Sequence, residues 1–101
     1  MNRVVVVTGA SSGIGRELAV QLAERGDTVV LAARGEEALD ETAEACQRAG
    51  GECLVVPTDV SQREEVERLR RAAIEAYGGF DGWVNNAGVT YFATLTSGEM
   101  D

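Results

Sequence analysis

Gly9-Ala10-Ser11-Ser12-Gly13-Ile14-Gly15 follows directly on Val4-Val5-Val6-Val7-Thr8 and precedes Leu18, Ala19, Leu22 and Ala23, which recur at helical spacing. The consecutive valines, inside a segment running from Arg3 to Thr8, are what a strand buried on both faces requires. Gly9 to Gly15 therefore joins the end of a strand to the start of a helix. Glycines at such a junction permit positive φ and let a ligand approach the backbone closely. The first N–H groups of the helix have no intrahelical partner and lie at the positive end of its dipole, so they suit a diphosphate. Ser11 and Ser12 add hydroxyl donors. A tight turn whose glycines serve packing alone is the other reading of these residues. A P-loop is excluded, because the Gly-Lys pair it needs is absent.

The alternation continues outward from that turn. Gly26 closes the first helix, and Thr28 to Ala33 is a second apolar strand. Glu36 to Ala49 carries Leu39, Ala43 and Cys46 at spacings of four and three, a second amphipathic helix stopped by Gly50-Gly51. Cys53 to Val56 reads as a third strand, with Pro57 fitting only at its end. Ser61-Gln62-Arg63-Glu64 has the form of a capping box, and Val66, Leu69, Ala73 and Tyr77 then face one side of a third helix closed by Gly78-Gly79. Trp83 to Asn85 is a short fourth strand leading into Asn86-Ala87-Gly88. Repeated strand–helix–strand units predict an α/β fold, a Rossmann-like three-layer parallel sheet of strand order 3-2-1-4. Right-handed crossovers place the first two helices on one face and the third on the other, leaving that second face thinly covered.

Composition narrows the partners. The 101 residues leave room for one domain, and 45% hydrophobic with 26% charged residues is the balance of a globular chain. Seventeen acidic against nine basic residues give a net charge of −8 with no basic cluster, which argues against nucleic acid or an anionic membrane surface. Cys46 and Cys53, without a signal segment, suggest free thiols in a reducing cytoplasm. With no histidine and no C-x-x-C pair, a zinc site has almost no ligands to draw on.

The spacing Thr8-Gly-x-x-x-Gly-x-Gly15 differs from the G-x-G-x-x-G dinucleotide fingerprint. It resembles the short-chain dehydrogenase/reductase family, as do Asn85-Asn86-Ala87-Gly88 at the fourth strand and Asp59-Val60 after the third. The resemblance covers the whole chain but corresponds only to the first part of a family member. It implies that Gly9, Ser11, Ser12, Gly13 and Gly15 bind the pyrophosphate and adenosine side of a nicotinamide dinucleotide, with Ile14 against the nicotinamide half. It implies that Asp59 hydrogen-bonds the adenine amino group, that Val60 packs on the ring, and that Asn86, Ala87 and Gly88 line the cofactor. Two other readings stay open: Asp59 helping to start the third helix, and Asn86 as a structural hydrogen-bonder.

The acidic residue that would accept the ribose 2′-hydroxyl of NAD(H) is missing from the end of the second strand, where Ala33-Arg34 stands instead. A guanidinium there favours NADP(H) over NAD(H), because it pairs with a 2′-phosphate; an ordinary surface charge is the alternative. Family chemistry also needs a tyrosine with a lysine four residues later. Tyr77 is followed at that spacing by Asp81 and Tyr91 by Leu95, and the chain contains no lysine, so no catalytic residue is expected. Tyr91 and Phe92 hint only at an apolar wall.

Thr96-Ser97-Gly98-Glu99 opens like a helix with only Met100 and Asp101 after it, which suggests a chain truncated from a longer one. The expectation is the cofactor-binding portion of an oxidoreductase interconverting a carbonyl and an alcohol of a small-molecule substrate. The fourth strand is expected as an exposed sheet edge, favouring a homo-oligomer. A non-catalytic dinucleotide-binding or self-associating module is the alternative.

Overall fold

The computed structural model describes residues 3–86 and 94–96. Its elements run β1 (Val4–Thr8), α1 (Gly13–Glu24), β2 (Thr28–Ala33), α2 (Glu36–Arg48), β3 (Glu52–Pro57), α3 (Arg63–Tyr77), β4 (Gly82–Val84) and β5 (Thr94–Thr96). The strands form one sheet of order β3-β2-β1-β4-β5, the first four parallel and β5 antiparallel to β4. The expected order 3-2-1-4 is therefore present. The expectation that β4 is an open edge is corrected: Gly82, Trp83 and Val84 register against Thr96, Leu95 and Thr94.

The alternation of side chains along buried parallel strands splits the core into two layers. Val5, Val7, Val29 and Leu31 pack under α1 and α2 with Ala19, Ala23, Leu39 and Cys46. Val6, Val30 and Ala32 face the other way, onto Leu69 and Ala73 of α3 and Trp83 of β4. Each buried valine or leucine contributes about 1.5–3 kcal/mol relative to exposure, far more than helix propensity supplies to chains this polar. The helices thus form because the sheet covers their apolar stripes.

The α3 layer is the thinner one. Phe80 meets Trp83 edge-on at 5.4 Å, while Ile74 stays 38% exposed. An open groove of about 820 Å³ runs between α3 and β4, lined by Val60, Val66, Ile74, Phe80 and Trp83. Tyr77 at the end of α3 is half-buried; burial and the hydrogen-bonded Glu52 carboxylate both push its phenol up.

Helix termini follow their charges. Glu36 and Glu37 open α2 and Arg48 closes it, matching the dipole at both ends, and Gly78 ends α3 in the left-handed conformation. Two start signals differ from expectation. α1 begins at Gly13, so Gly15 at the end of the turn already lies in the first turn of the helix. The capping box at Ser61 is not formed: Gln62 is the N-cap, and the Ser61 backbone N–H and hydroxyl both donate to Asp59 Oδ1, at 3.0 and 2.7 Å. With Gln62 at the N-cap, the Ser61 hydroxyl stands one residue ahead of the capping position and serves the loop as a donor to the carboxylate. Ser97, Gly98 and Glu99 lie outside the described residues, as do Tyr91 and Phe92.

Candidate functional site

Parallel strands bring all their carboxyl ends to one edge of the sheet. Thr8, Ala33, Pro57 and Val84 end the four parallel strands side by side. At a strand spacing of about 4.8 Å, β3 and β4 stand roughly 14 Å apart, room for an extended ligand across β2 and β1. The connection from β1 to β2 runs through α1 on one face, whereas that from β3 to β4 runs through α3 on the other, so the strand order reverses at β1, and crevices of open α/β sheets form at such a reversal.

The turn after β1 is held from three sides. Gly9 has φ 66° and Gly13 φ 59°, conformations that side chains other than glycine rarely adopt. Ala10 is buried; its N–H donates to Ala32 O at 3.1 Å and its carbonyl accepts the Thr42 hydroxyl at 3.0 Å. The Asn86 amide donates to Gly9 O at 3.2 Å, and the Asn86 backbone N–H donates to Thr8 Oγ1 at 2.9 Å. Gly15, in the first turn of α1, lies so close beneath that a Cβ would sit 2.1 Å from Gly9 O and 2.7 Å from Asn86 Nδ2.

That scaffold leaves a defined polar surface. Ser12, the exposed N-cap of α1, makes no side-chain capping bond, and its extended backbone delivers the chain to Gly13. The first turn of α1 contains no acidic residue, whereas α2 and α3 each begin with two glutamates. Open N–H groups without a carboxylate beside them keep their partial positive charge available for an anion. Ile14 projects from this turn at 77% exposure, beside Leu18 on the outer face of α1.

Arg34 and Asp59 stand at the ends of neighbouring strands. Arg34 is exposed, directly after β2, and has no ion-pair partner among the described residues. The Asp59 carboxyl is held below the usual carboxylate range, chiefly by the two bonds from Ser61 and also by the Arg34 guanidinium. Both Ser61 bonds reach Oδ1, and Oδ2 enters none of the described hydrogen bonds. Val60 follows, lining the upper end of the α3 groove with Thr8 and Asn85.

The structure therefore gathers Gly9, Ser11, Ser12, Gly13, Ile14, Gly15, Arg34, Asp59, Val60 and Asn86 along one edge of the sheet. Ala87 and Gly88 lie outside the described residues. Sequence reading did not single out Thr42, which is fully buried and pins the turn from α2, nor Glu65, whose Oε1 accepts the Asp59 N–H at 2.7 Å. A signal for Thr42 existed: a hydroxyl within the apolar stripe Leu39, Ala43, Cys46. The Cys46 thiol, buried in the same stripe, is pushed up to about 11, mainly by desolvation, and is no nucleophile at neutral pH. Among the described residues no group of three or more His, Cys, Asp or Glu could hold a metal ion. No helix among them is long and apolar enough to cross a membrane.

Comparison with known proteins gives this geometry its context. Residues 3–101 match the short chain dehydrogenase family. An uncharacterized oxidoreductase of Bacillus subtilis, YxnA, is 47% identical over 91 residues, which are 90% of this chain and 26% of the relative. The L-sorbose reductase of Gluconobacter frateurii, solved with NADPH and L-sorbose, superposes with a TM-score of 0.83 at 37% identity, covering 93% of this chain and 36% of that one. An alcohol dehydrogenase of the archaeon Thermococcus sibiricus, solved with 5-hydroxy-NADP, gives 0.83 at 38% identity, covering 98% of this chain and 44% of that one. The chain spans less than half the length of each of these proteins.

Proposed function

We propose, from the premise that this chain belongs to the short chain dehydrogenase family, that it is the dinucleotide-binding portion of an oxidoreductase that uses NADP(H) in preference to NAD(H). The observation that carries the reading is the turn itself: an acid-free helix start behind two positive-φ glycines, at the sheet edge that also presents Arg34 and Asp59. In this reading the N–H groups of Gly13, Ile14 and Gly15, with the Ser11 and Ser12 hydroxyls, hold the diphosphate. Asp59 Oδ2 accepts from the adenine amino group and Val60 packs on the ring. Arg34 takes the 2′-phosphate, Ile14 meets the nicotinamide half, and Asn86, Ala87 and Gly88 line the floor.

The fit test is steric and electrostatic. Gly15 lets the α1 turn lie against Gly9, and the space where a side chain on Gly13 would stand is open. When bound, the dinucleotide supplies hydride exchange at its nicotinamide ring, interconverting a carbonyl and an alcohol in a small-molecule substrate. This chain's own residues bind and orient it. Among the described residues Tyr77, the one tyrosine, sits half-buried against Glu52 at the end of α3, away from the strand ends that form the cradle. Reaction with substrate belongs to the whole oxidoreductase, and the free thiols of Cys46 and Cys53 support a reducing, cytoplasmic setting for it.

Calorimetric titration of the chain with NADP+ and with NAD+ is the direct test. Saturable binding is expected for both, tighter for NADP+; no binding of either coenzyme overturns the reading. A second reading is favoured by the open groove between α3 and β4, where Val66, Ile74, Phe80 and Trp83 stand beside Glu67 and Arg70: a second copy of the chain covers that face. Sedimentation is then expected to show association at micromolar concentration, and a compact, heat-stable monomer refutes it.

A further inference from the structure

Between β3 and α3 the chain must turn while presenting one carboxylate and one apolar side chain at fixed height above the sheet. Five bonds fix that segment. The Thr58 N–H donates to Ala33 O at 2.8 Å, tying the loop to the end of β2. Ser61 holds the Asp59 side chain by Oδ1. The Glu65 carboxylate accepts the Asp59 backbone N–H at 2.7 Å. Arg68, one turn along α3 and 3.6 Å from Glu65, donates to the Pro57 carbonyl at 3.2 Å.

The Glu65 contact is unusual for its position. Third in α3, a glutamate ordinarily reaches back to the N-cap N–H. Here the Gln62 N–H is already spent on Asp59 O, at 3.0 Å, and Glu65 passes over it to a donor six residues back. It therefore brings a second carboxylate toward Asp59, which like-charge repulsion opposes. Holding the helix end does not require that approach. Holding the loop backbone, while Ser61 binds the Asp59 carboxylate through Oδ1 and leaves Oδ2 out of that bond, does. Arg68 neutralises the added charge and fixes the other side of the same loop.

We infer that Glu65, backed by Arg68, is a positioning residue that sets the aim of Asp59 and so the selection for an adenine amino group; this rests on the reading of Asp59 given above. The probe is a pair of ligands, NADP+ and its hypoxanthine analogue, which replaces the adenine amino group with a carbonyl oxygen. The wild-type chain is expected to favour NADP+ by about tenfold, the worth of one hydrogen bond to a charged acceptor. Glu65→Ala is expected to shrink that preference to about twofold or less, whereas Glu65→Gln, which keeps an acceptor oxygen, retains most of it. Glu67→Ala, which breaks the neighbouring 3.5 Å pair with Arg70, leaves it unchanged and controls for loss of helix stability.

The outcomes separate two failures. If Asp59→Asn abolishes the preference and Glu65→Ala does not, Glu65 is only a structural contact and the inference is overturned. If the wild type shows no preference, or Asp59→Asn leaves it intact, the assignment of Asp59 fails and takes the inference with it. Thermal unfolding of each variant shows that the comparison is made on folded chain.

Discussion

Gly15→Ala is expected to reduce NADP+ affinity more than a hundredfold, although alanine is the better helix former. The intrinsic preference of a helix interior for alanine over glycine is about 1 kcal/mol, and Gly15 does not have the positive φ that would reverse it. Space decides against the substitution. The new Cβ would lie 2.1 Å from Gly9 O, 2.8 Å from Gly9 C and 2.7 Å from Asn86 Nδ2, so two of the three obstacles are backbone. A side-chain tip can swing aside; the Gly9 peptide cannot, because Ala10 is anchored on both sides, to Ala32 and to Thr42. Relief then requires a shift on the order of 1 Å between the β1 turn and α1, enough to misalign every donor in the cradle and typically costing about 10²-fold. Overpacking itself costs about 1–3 kcal/mol, outweighing the gain in propensity.

Gly51→Ala supplies the contrast. There a Cβ would meet Ala23 Cβ at 2.6 Å and its Cα at 2.7 Å, a clash of the same kind at the opposite end of the sheet, just before β3. It is expected to lower thermal stability comparably while the folded fraction still binds NADP+. Wild-type affinity in a folded Gly15→Ala chain would falsify the cradle.

What could be read from the residues alone, and what could not, divides along sequence distance. Val4 to Val7 and Thr28 to Ala33 announce strands because β-branched runs suit a sheet covered on both faces, and both appear where expected. The glycine turn is legible for the same local reason: Gly9 and Gly13 are demanded by the backbone at their own positions. Arg34 is legible because the end of a strand is a place on the sheet edge.

The missed features depend on partners far away. Thr94–Thr96 has no apolar run; it is a strand only because β4 offers it three residues to pair with. Thr42 reaches Ala10 across 32 positions. At Ser61 two local rules compete, the capping box and the carboxylate two residues back. The pattern of residue types does not reveal that Gln62 takes the N-cap and leaves the Ser61 hydroxyl to Asp59.

Arg34→Ala is expected to weaken NADP+ by about ten- to a hundredfold and NAD+ by no more than about twofold. A 2′-phosphate carries between one and two negative charges near neutral pH, and a guanidinium meets it with forked, charge-assisted bonds, each worth about 1.5–3 kcal/mol. The 2′-hydroxyl of NAD+ gives Arg34 nothing comparable. Three neighbours set the size of the effect. Asp59 draws on the same guanidinium, and Glu36 and Glu37 open α2 two and three residues further on, where they oppose an incoming phosphate. Arg34→Asp should therefore do more than delete a bond. It places a carboxylate at the end of β2, where one can accept from the 2′-hydroxyl and repel the phosphate, and should reverse the coenzyme preference. Because Arg34 is exposed, the wild-type preference should also shrink as salt rises, with the Debye length falling from about 10 Å at 0.1 M to about 3 Å at 1 M. An Arg34→Ala chain that loses both coenzymes equally would assign Arg34 to the fold rather than to the phosphate. In that event the missing carboxylate after Ala33 would be left as the only ground for preferring NADP(H), and absence of repulsion is a weaker discriminator than a positive charge.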